Sequence, residues 1–332
     1  MAHPKCSDED FIRLFTECGA TETAKILNIT IRNVQARRQR LEQNLSIAIN
    51  SPKTTKAVER KIGSYARRLH HEMETGTILV GSDAHVWPGE LEPAQKAFIQ
   101  TAAEIKPDII VLNGDVLDGA RISRHPPLQW SHTPTLHEEL DAVDKFLDQV
   151  RLASPKSQLF WILGNHDCRM GSKLSIQVPE FANVMGTKLI DHFPHWTFCF
   201  SLWVNDSLVI KHRFKGGLHA TFNNTLYAGR SVTTGHLHAL RVTPFSDYNG
   251  ITKDNDWARA RYGTDSGTLS NPYGDHAAYT EDNPLNHRSG FVLHTFVGGE
   301  LLIPEMAMIM DQNRFQFRGQ VKKIESMPIP KP

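Results

Sequence analysis

Between residues 76 and 240 the chain repeats one arrangement, a short apolar run that stops on Asp, Asn or His. Residues 77–82 lead to Asp83-Ala84-His85, and 109–113 to Gly114-Asp115-Val116-Leu117-Asp118. Residues 159–163 lead to Gly164-Asn165-His166-Asp167, 208–211 to His212, and 231–234 to Gly235-His236-Leu237-His238. Short apolar runs bounded by turn residues read as buried strands. Stretches with helical character, 92–105 and 136–152, separate the first three runs. The order is therefore strand–helix–strand, and folds of this class place their sites at the carboxyl ends of the strands.

Those five strand ends carry Asp83, His85, Asp115, Asn165, His212, His236 and His238. Oxygen and imidazole donors without thiolate suit manganese best, with iron, zinc, nickel or magnesium as alternatives. Seven donors exceed the needs of one ion. Two ions about 3.5–4 Å apart, bridged by a carboxylate, would use them all. Such a pair clamps a phosphoryl group and lowers the pKa of a bridging water. A single His at a strand end reads equally well as a core or surface residue; the ordered set of five carries the inference.

This set resembles the calcineurin-like metallophosphoesterases, whose motifs D-x-H, G-D-x-x-D, G-N-H-D/E, a strand-borne His and G-H-x-H occur here in that order across about 76–300. The resemblance implies a four-layer α/β/β/α sandwich. It implies one ion on Asp83, His85 and His238, a second on Asn165, His212 and His236, and Asp115 as the bridge. His166 would be general acid or charge stabiliser at the leaving oxygen, with Asp167 orienting its ring and Asp118 supporting it or a ligand. Arg169 could reach the phosphate. Where the family often has Gly after the strand-borne His, this chain has Arg213, and His219 is a rival for the role of His212. Serine/threonine phosphatases of the family usually carry Arg and Glu where Gly119 and Asp167 stand, which points away from a phosphoprotein substrate.

The first 45 residues read as a small all-α domain preceding the sandwich. An apolar stripe (Phe11, Ile12, Leu14, Phe15) is broken at Cys18-Gly19-Ala20, and a short helix restarts with Thr21 as its cap. A turn at Asn28-Ile29-Thr30 leads to a third helix with Ile31, Val34 and Leu41 inward. This pattern resembles a helix-turn-helix, whose last helix would offer Arg32, Asn33, Gln35, Arg37 and Arg38 to nucleic acid; a helical bundle with a solvated basic face is the alternative. Residues 1–72 hold 13 Lys and Arg against 8 Asp and Glu, a local +5 in a chain of net +1. Any nucleic-acid argument is therefore local.

The resulting organisation is a helix-turn-helix-like domain at 1–45, a basic linker or helix at 46–75, the catalytic domain at 76–310 and a tail at 311–332. Residues 57–73 could be helical, and 327–332 read as loose. Arg121 and Arg124 add cations beside the G-D-x-x-D motif, and Trp130 could stack a base. Residues 245–290 read as a long substrate-selecting lid.

The expectation is a two-metal phosphodiesterase or nuclease acting on DNA or RNA. A phosphomonoesterase with helices used for oligomerisation, a dimer for instance, is the first alternative. A non-catalytic DNA-binding protein is the second. The four cysteines form no CxxC pair, no signal peptide follows Met1, and no apolar stretch is long enough for a membrane span. These features fit the reduced cytoplasm of a bacterium, or of a host cell for a phage protein.

Overall fold

The structure is a computed structural model of the 332-residue chain, and it describes residues 6–45, 49, 65–124, 132–182, 184–248, 251, 253, 256–274, 277 and 286–325. The chain divides into two compact units, residues 1–64 and 65–332. No helix among the described residues is long and apolar enough to cross a membrane.

In the first unit, helix α1 (Asp8–Leu27) starts at Ser7, whose hydroxyl accepts the Asp10 N–H at 3.1 Å. Three acidic residues in the first turn complement the positive end of the helix. Gly19 (φ 75°) breaks α1 where the sequence suggests, because only glycine enters that region without steric cost. Asn28 closes the helix in the left-handed conformation, and the Thr30 hydroxyl accepts the Asn33 N–H at the start of α2 (Ile31–Leu45). Phe11, Phe15, Ala24, Leu27, Val34 and Leu41 form the core. Ile31 is 50% exposed, contrary to expectation, since Ile29 in the turn packs on the cluster in its stead.

The second unit contains two sheets. Strands β1 (Leu69–His71), β6 (Leu202–Val204), β7 (Leu208–Ile210), β8 (Ser231–Thr234), β10 (Arg259–Asp265) and β9 (Arg241–Asp247) form the first, in that order. The second runs β15 (Gln320–Lys323), β14 (Arg314–Phe317), β13 (Glu305–Asp311), β11 (Gly290–Val297), β2 (Gly76–Gly81), β3 (Ile109–Leu112), β4 (Gln158–Ile162) and β5 (Thr197–Cys199), with β12 (Glu300–Leu301) beside β11. Strands β2, β3, β4 and β5 are parallel.

Side-chain alternation explains the layers. Ile78, Val80, Ile109, Val111, Phe160 and Ile162 join Leu202, Val204, Leu208 and Ile210 in the core between the sheets. Leu79, Ile110, Leu112 and Trp161 point the other way, into a core shared with α3 (Pro93–Ile105) and α4 (Leu136–Ala153). Both helices open on capping boxes, at Glu92 with Gln95 and at Thr135 with Glu138. Three short helices complete the unit, α5 (Arg169–Gln177), α6 (Leu189–His192) and α7 (Ala220–Ala228), the last lying on β8, β9 and β10. The result is the four-layer α/β/β/α arrangement.

Three boundaries differ from the sequence reading. Residues 65–73 contain strand β1 rather than a helix, since Leu69 pairs with Leu202 and packs on the inter-sheet core; residues 51–64 lie outside the described residues. The presumed tail supplies β14 and β15, held by Phe315 and Phe317 in the helix-side core, and residues 327–332 lie outside the described residues. The presumed lid contains β10, which pairs with β8 and β9. Its Gly263 is a packing requirement, because a Cβ there would overlap the Thr221 carbonyl of α7.

Candidate metal centre

Five strands of two different sheets deliver their ends to one place. From the larger sheet β2 leads to Asp83 and His85, β3 to Asp115, and β4 to Asn165. From the smaller sheet β7 leads to His212, and β8 to His236 and His238. The loops continue the ladder: Asp83 N–H donates to Gly114 O (2.9 Å), His85 N–H to Asp115 O (3.0 Å) and Gly235 N–H to His212 O (3.0 Å). Glycines admit this crowding. A Cβ at Gly114 would overlap the His212 ring, at Gly164 the Asp115 carboxylate, and at Gly235 Ser82 and Asp83.

Asp83, His85, Asp115, His236 and His238 all have positive φ, from 38° to 69°. Such conformations cost a non-glycine residue on the order of 1–3 kcal/mol each and persist where surrounding structure enforces them, typically at functional sites. Here the enforcement is the loop ladder and the buried carboxylates it surrounds.

Three donor groups result among the described residues, Asp83 with His85 and His238, Asp115 with His212 and His236, and His85 with Asp118 and His166, and within each the donor atoms lie within 4.8 Å of one another; the third shares His85 with the first, and its Asp118 oxygen is engaged by both imidazole Nδ1 atoms. His238 Nε2 is 3.1 Å from Asp83 Oδ1, and His85 Nε2 is 3.9 Å from the same oxygen. His212 Nε2 is 3.0 Å from Asp115 Oδ2 and 3.9 Å from Asp83 Oδ1, so the groups adjoin. Asp83 and Asp115 are almost completely buried. Burial alone would raise both carboxyls. The facing imidazoles win, pulling Asp83 well below the usual range and Asp115 down to about 2. Burial opposes the charged His212 ring, yet the two carboxylates raise it to about 9.

The residues present fit cations. His212 Nδ1 lies 2.7 Å from the Asn113 carbonyl, which can only accept, so Nδ1 carries the proton. The raised pKa keeps a proton on Nε2 as well, facing the Asp115 carboxylate at 3.0 Å, and a cation bound there would take that proton's place. The buried Asn165 Oδ1 has no donor among the described residues. Converging lone pairs on carboxylate, amide and imidazole call for positive charge between them. Cys168 contributes no thiolate, because burial and the nearby Asp167 and Asp115 push its thiol up to about 11.

Asp118 joins the two halves of the site. Its Oδ1 is 2.9 Å from His85 Nδ1 and 3.0 Å from His166 Nδ1, while its carbonyl is 3.0 Å from His166 Nδ1. The His166 ring therefore keeps its proton on Nδ1 and turns Nε2 toward Asp115 Oδ2, 3.9 Å away. Burial lowers the His166 pKa, but Asp118 and Asp115 outweigh it and raise the imidazolium range. Arg169 donates to the Asp118 carbonyl at 2.8 Å, and its Nη2 is 3.1 Å from His166 Nε2.

Asp167 is a correction. It does not orient the His166 ring; that contact belongs to Asp118. Its buried carboxylate accepts from the backbone N–H groups of Asp115, Val116, Leu117 and Gly164 and from Trp161 Nε1, at 2.8–3.2 Å. It fastens the G-N-H-D turn to the G-D-x-x-D loop. Glu139 does related work from α4, accepting from Gly119 N (2.6 Å) and Ala120 N (3.0 Å).

Of the remaining sequence candidates, Arg121 is exposed and donates to the Thr133 carbonyl, and Arg124 is exposed. Trp130 lies outside the described residues. His219, the rival of His212, is exposed at the start of α7. In the helical unit Arg32 and Asn33 are exposed and Gln35 half-buried. Arg37 is engaged internally, donating to Cys6 O (2.8 Å) and Asp8 (2.6 Å) and covering the Phe11 ring. Arg38 covers Phe15 and pairs with Glu42.

The sequence reading missed His287, whose ring centroid is 4.5 Å from that of His238; burial and that neighbour push its pKa down to about 4. It also missed Ser82 and Thr268, whose hydroxyls donate to the Asp83 carboxylate and carbonyl. No motif marks them; Thr268 and His287 reach the site through tertiary packing, and Ser82 adjoins Asp83 in sequence.

The family model for calcineurin-like phosphoesterase matches residues 76–279, more than half of the chain. No curated protein sequence matches significantly. Among solved structures, the phosphoesterase Yfce from E. coli is 13% identical, with 75% of this chain and 100% of that one covered and a TM-score of 0.33. A dimetal phosphatase from Danio rerio is 11% identical over 75% of this chain and 98% of that one, with a TM-score of 0.29. A predicted phosphoesterase from Streptococcus pneumoniae is 11% identical over 76% and 98%, with a TM-score of 0.28.

Proposed function

This chain belongs to the calcineurin-like phosphoesterase family, and on that premise we propose that it uses two divalent cations, manganese first among them, to hydrolyse phosphodiester bonds of DNA or RNA. The observation that carries the reading is the pair of adjoining donor groups, joined where His212 Nε2 stands 3.0 Å from Asp115 Oδ2 and 3.9 Å from Asp83 Oδ1 while Nδ1 donates to the Asn113 carbonyl. Asp83, His85 and His238 would hold one cation, Asn165, His212 and His236 the other, with Asp115 shared. When bound, such a pair polarises the phosphoryl oxygens and makes water a nucleophile near neutral pH.

The chain's own groups supply the rest. His166, fixed through Nδ1 by Asp118, would turn Nε2 to the leaving oxygen as general acid once Arg169, which donates to that nitrogen at 3.1 Å, moves onto a phosphoryl oxygen. Arg169, anchored on the Asp118 carbonyl beside that ring, meets a phosphoryl oxygen with a cation. Asp167 and Glu139 keep the intervening loop in shape through its backbone N–H groups. Exposed Arg32 and Asn33 at the start of α2, together with the +5 of residues 1–72, favour a polyanionic substrate.

A substrate panel with manganese returned to the stripped protein tests this. We expect cleavage of bis-p-nitrophenyl phosphate and of oligonucleotides. Robust turnover of p-nitrophenyl phosphate alone would reject the diesterase reading and favour a phosphomonoesterase.

A further inference from the structure

The smaller sheet has an outer face that the mechanism above does not use. At its β1 edge His70 stands beside Trp203 of β6, and Trp203 beside Val209 of β7. The Trp203 ring receives two guanidinium groups, Arg68 at 4.7 Å and Arg230 at 4.6 Å, with the His70 ring 5.7 Å away. Continuing the strand register, Arg68 and Lys211 come level with Ser201 from either side. Lys211 lies over the Phe214 ring at 4.6 Å, and Lys215 over Tyr227 at 3.6 Å. The Lys215 backbone N–H donates to Asn224 Oδ1, which fastens this loop to α7.

Cations and rings thus alternate in one strip. It runs from Arg230 and Trp203 to Lys211, and Lys211 is followed directly by His212 of the metal centre. Arg213, exposed next to His212, extends it. Carboxylates are fewer: Asp206 pairs with Arg230 at 3.7 Å, and Glu72 is exposed beyond His70. Arg68, Arg230, Lys211 and Lys215 each rest on an aromatic face, with Arg68 and Lys215 exposed and Lys211 and Arg230 half-buried. Phosphates alone would be served by scattered lysines. Guanidinium planes and rings in register with cations suit a ligand that brings flat bases as well as charge, the recognition mode of single strands.

We propose that this face, at β1, β6 and β7, is the track on which a single strand of nucleic acid lies as it approaches the metal centre. The proposal rests on the phosphodiesterase reading and specifies the form of its substrate. A duplex presents its bases stacked inward and cannot use the rings.

The test is binding of a fluorescent phosphorothioate oligothymidylate to the manganese-loaded full chain across a salt series. For single strands each phosphate contact adds about −0.7 to the slope of log affinity against log salt. Arg68→Gln, Lys215→Gln and Arg230→Gln combined should make that slope shallower by about 2, roughly an 18-fold difference between 50 and 200 mM salt. Thermal unfolding checks that the triple variant is folded, and Lys215→Glu alone, on the surface, should weaken binding in the same direction. An unchanged slope in both variants overturns the track. Equal losses with a duplex probe, or equal competition by polyglutamate, overturn the single-strand assignment. Failure of the unaltered protein to bind any oligonucleotide, while it still hydrolyses bis-p-nitrophenyl phosphate, would instead reject the nucleic-acid substrate itself.

Discussion

Asp167→Asn separates two roles that the motif leaves together. Asp167 Oδ2 accepts from Asp115 N (2.8 Å), Gly164 N (2.8 Å) and Trp161 Nε1 (3.0 Å), while Oδ1 accepts from Val116 N (3.1 Å) and Leu117 N (3.2 Å). Asparagine has one acceptor oxygen. Its best placement keeps that oxygen where three donors converge and turns the amide group against the Val116 and Leu117 N–H groups. Both residues are fully buried, so neither finds water. Each unsatisfied donor costs about 1–3 kcal/mol, and the three remaining bonds lose their charge assistance. The sum is about 3–6 kcal/mol, a large part of the ~5–15 kcal/mol that holds a domain folded. At about 2–4 °C per kcal/mol, the thermal midpoint should fall by an amount on the order of 10 °C. Circular dichroism melting of the metal-free chain reads this directly. A midpoint within about 2 °C of the unaltered protein, with only turnover reduced, would refute the loop-fastening role and restore the orientation of His166.

Gly164→Ala should be worse for the site than for the fold. Its Cβ would overlap the Asp115 carboxylate and backbone N, so metal content measured by atomic absorption should fall; full occupancy would contradict the packing argument. His166→Ala should lower kcat about 10²–10⁴-fold with metals retained, as expected for a general acid, and loss of metal would reassign His166 as a ligand. Glu139, pushed up to about 7 from an ordinary value near 4.5 by burial and then by Asp118, binds its proton more tightly folded than unfolded. Its stabilisation is therefore complete below pH 4.5 and is lost as pH rises through about 7. The difference in unfolding free energy between the metal-free protein and Glu139→Gln should change across that window, and a flat difference would contradict it.

The strand–helix–strand succession along the chain and the ends of β2, β3, β4, β7 and β8 were legible because buried strands must be apolar for most of their length. A polar residue at their ends is then conspicuous. Asp167 was misread because adjacency in sequence suggested adjacency of side chains. The turn from Gly164 instead folds its carboxylate back onto backbone N–H groups. Arg37 looked available because helical periodicity leaves it off the apolar stripe, but Asp8 and the Cys6 carbonyl lie 29 and 31 residues away in sequence. Strand β10 was hidden by Gly263, which looks like a strand breaker until α7 is packed against it. By contrast, Arg314-Phe315-Gln316-Phe317 already alternates with the period of a strand, and the exposed–buried pattern follows it residue by residue.

The central claim is that two donor groups at adjoining strand ends make one two-cation phosphoesterase centre. Manganese titration of the stripped chain, with bound metal and bis-p-nitrophenyl phosphate turnover measured on the same samples, tests it most directly. The account predicts two ions per chain, with turnover rising as the second binds, and a single remaining ion when His212→Ala removes the second group. Saturation at one ion per chain with full turnover, or undiminished turnover after metal removal, would contradict it.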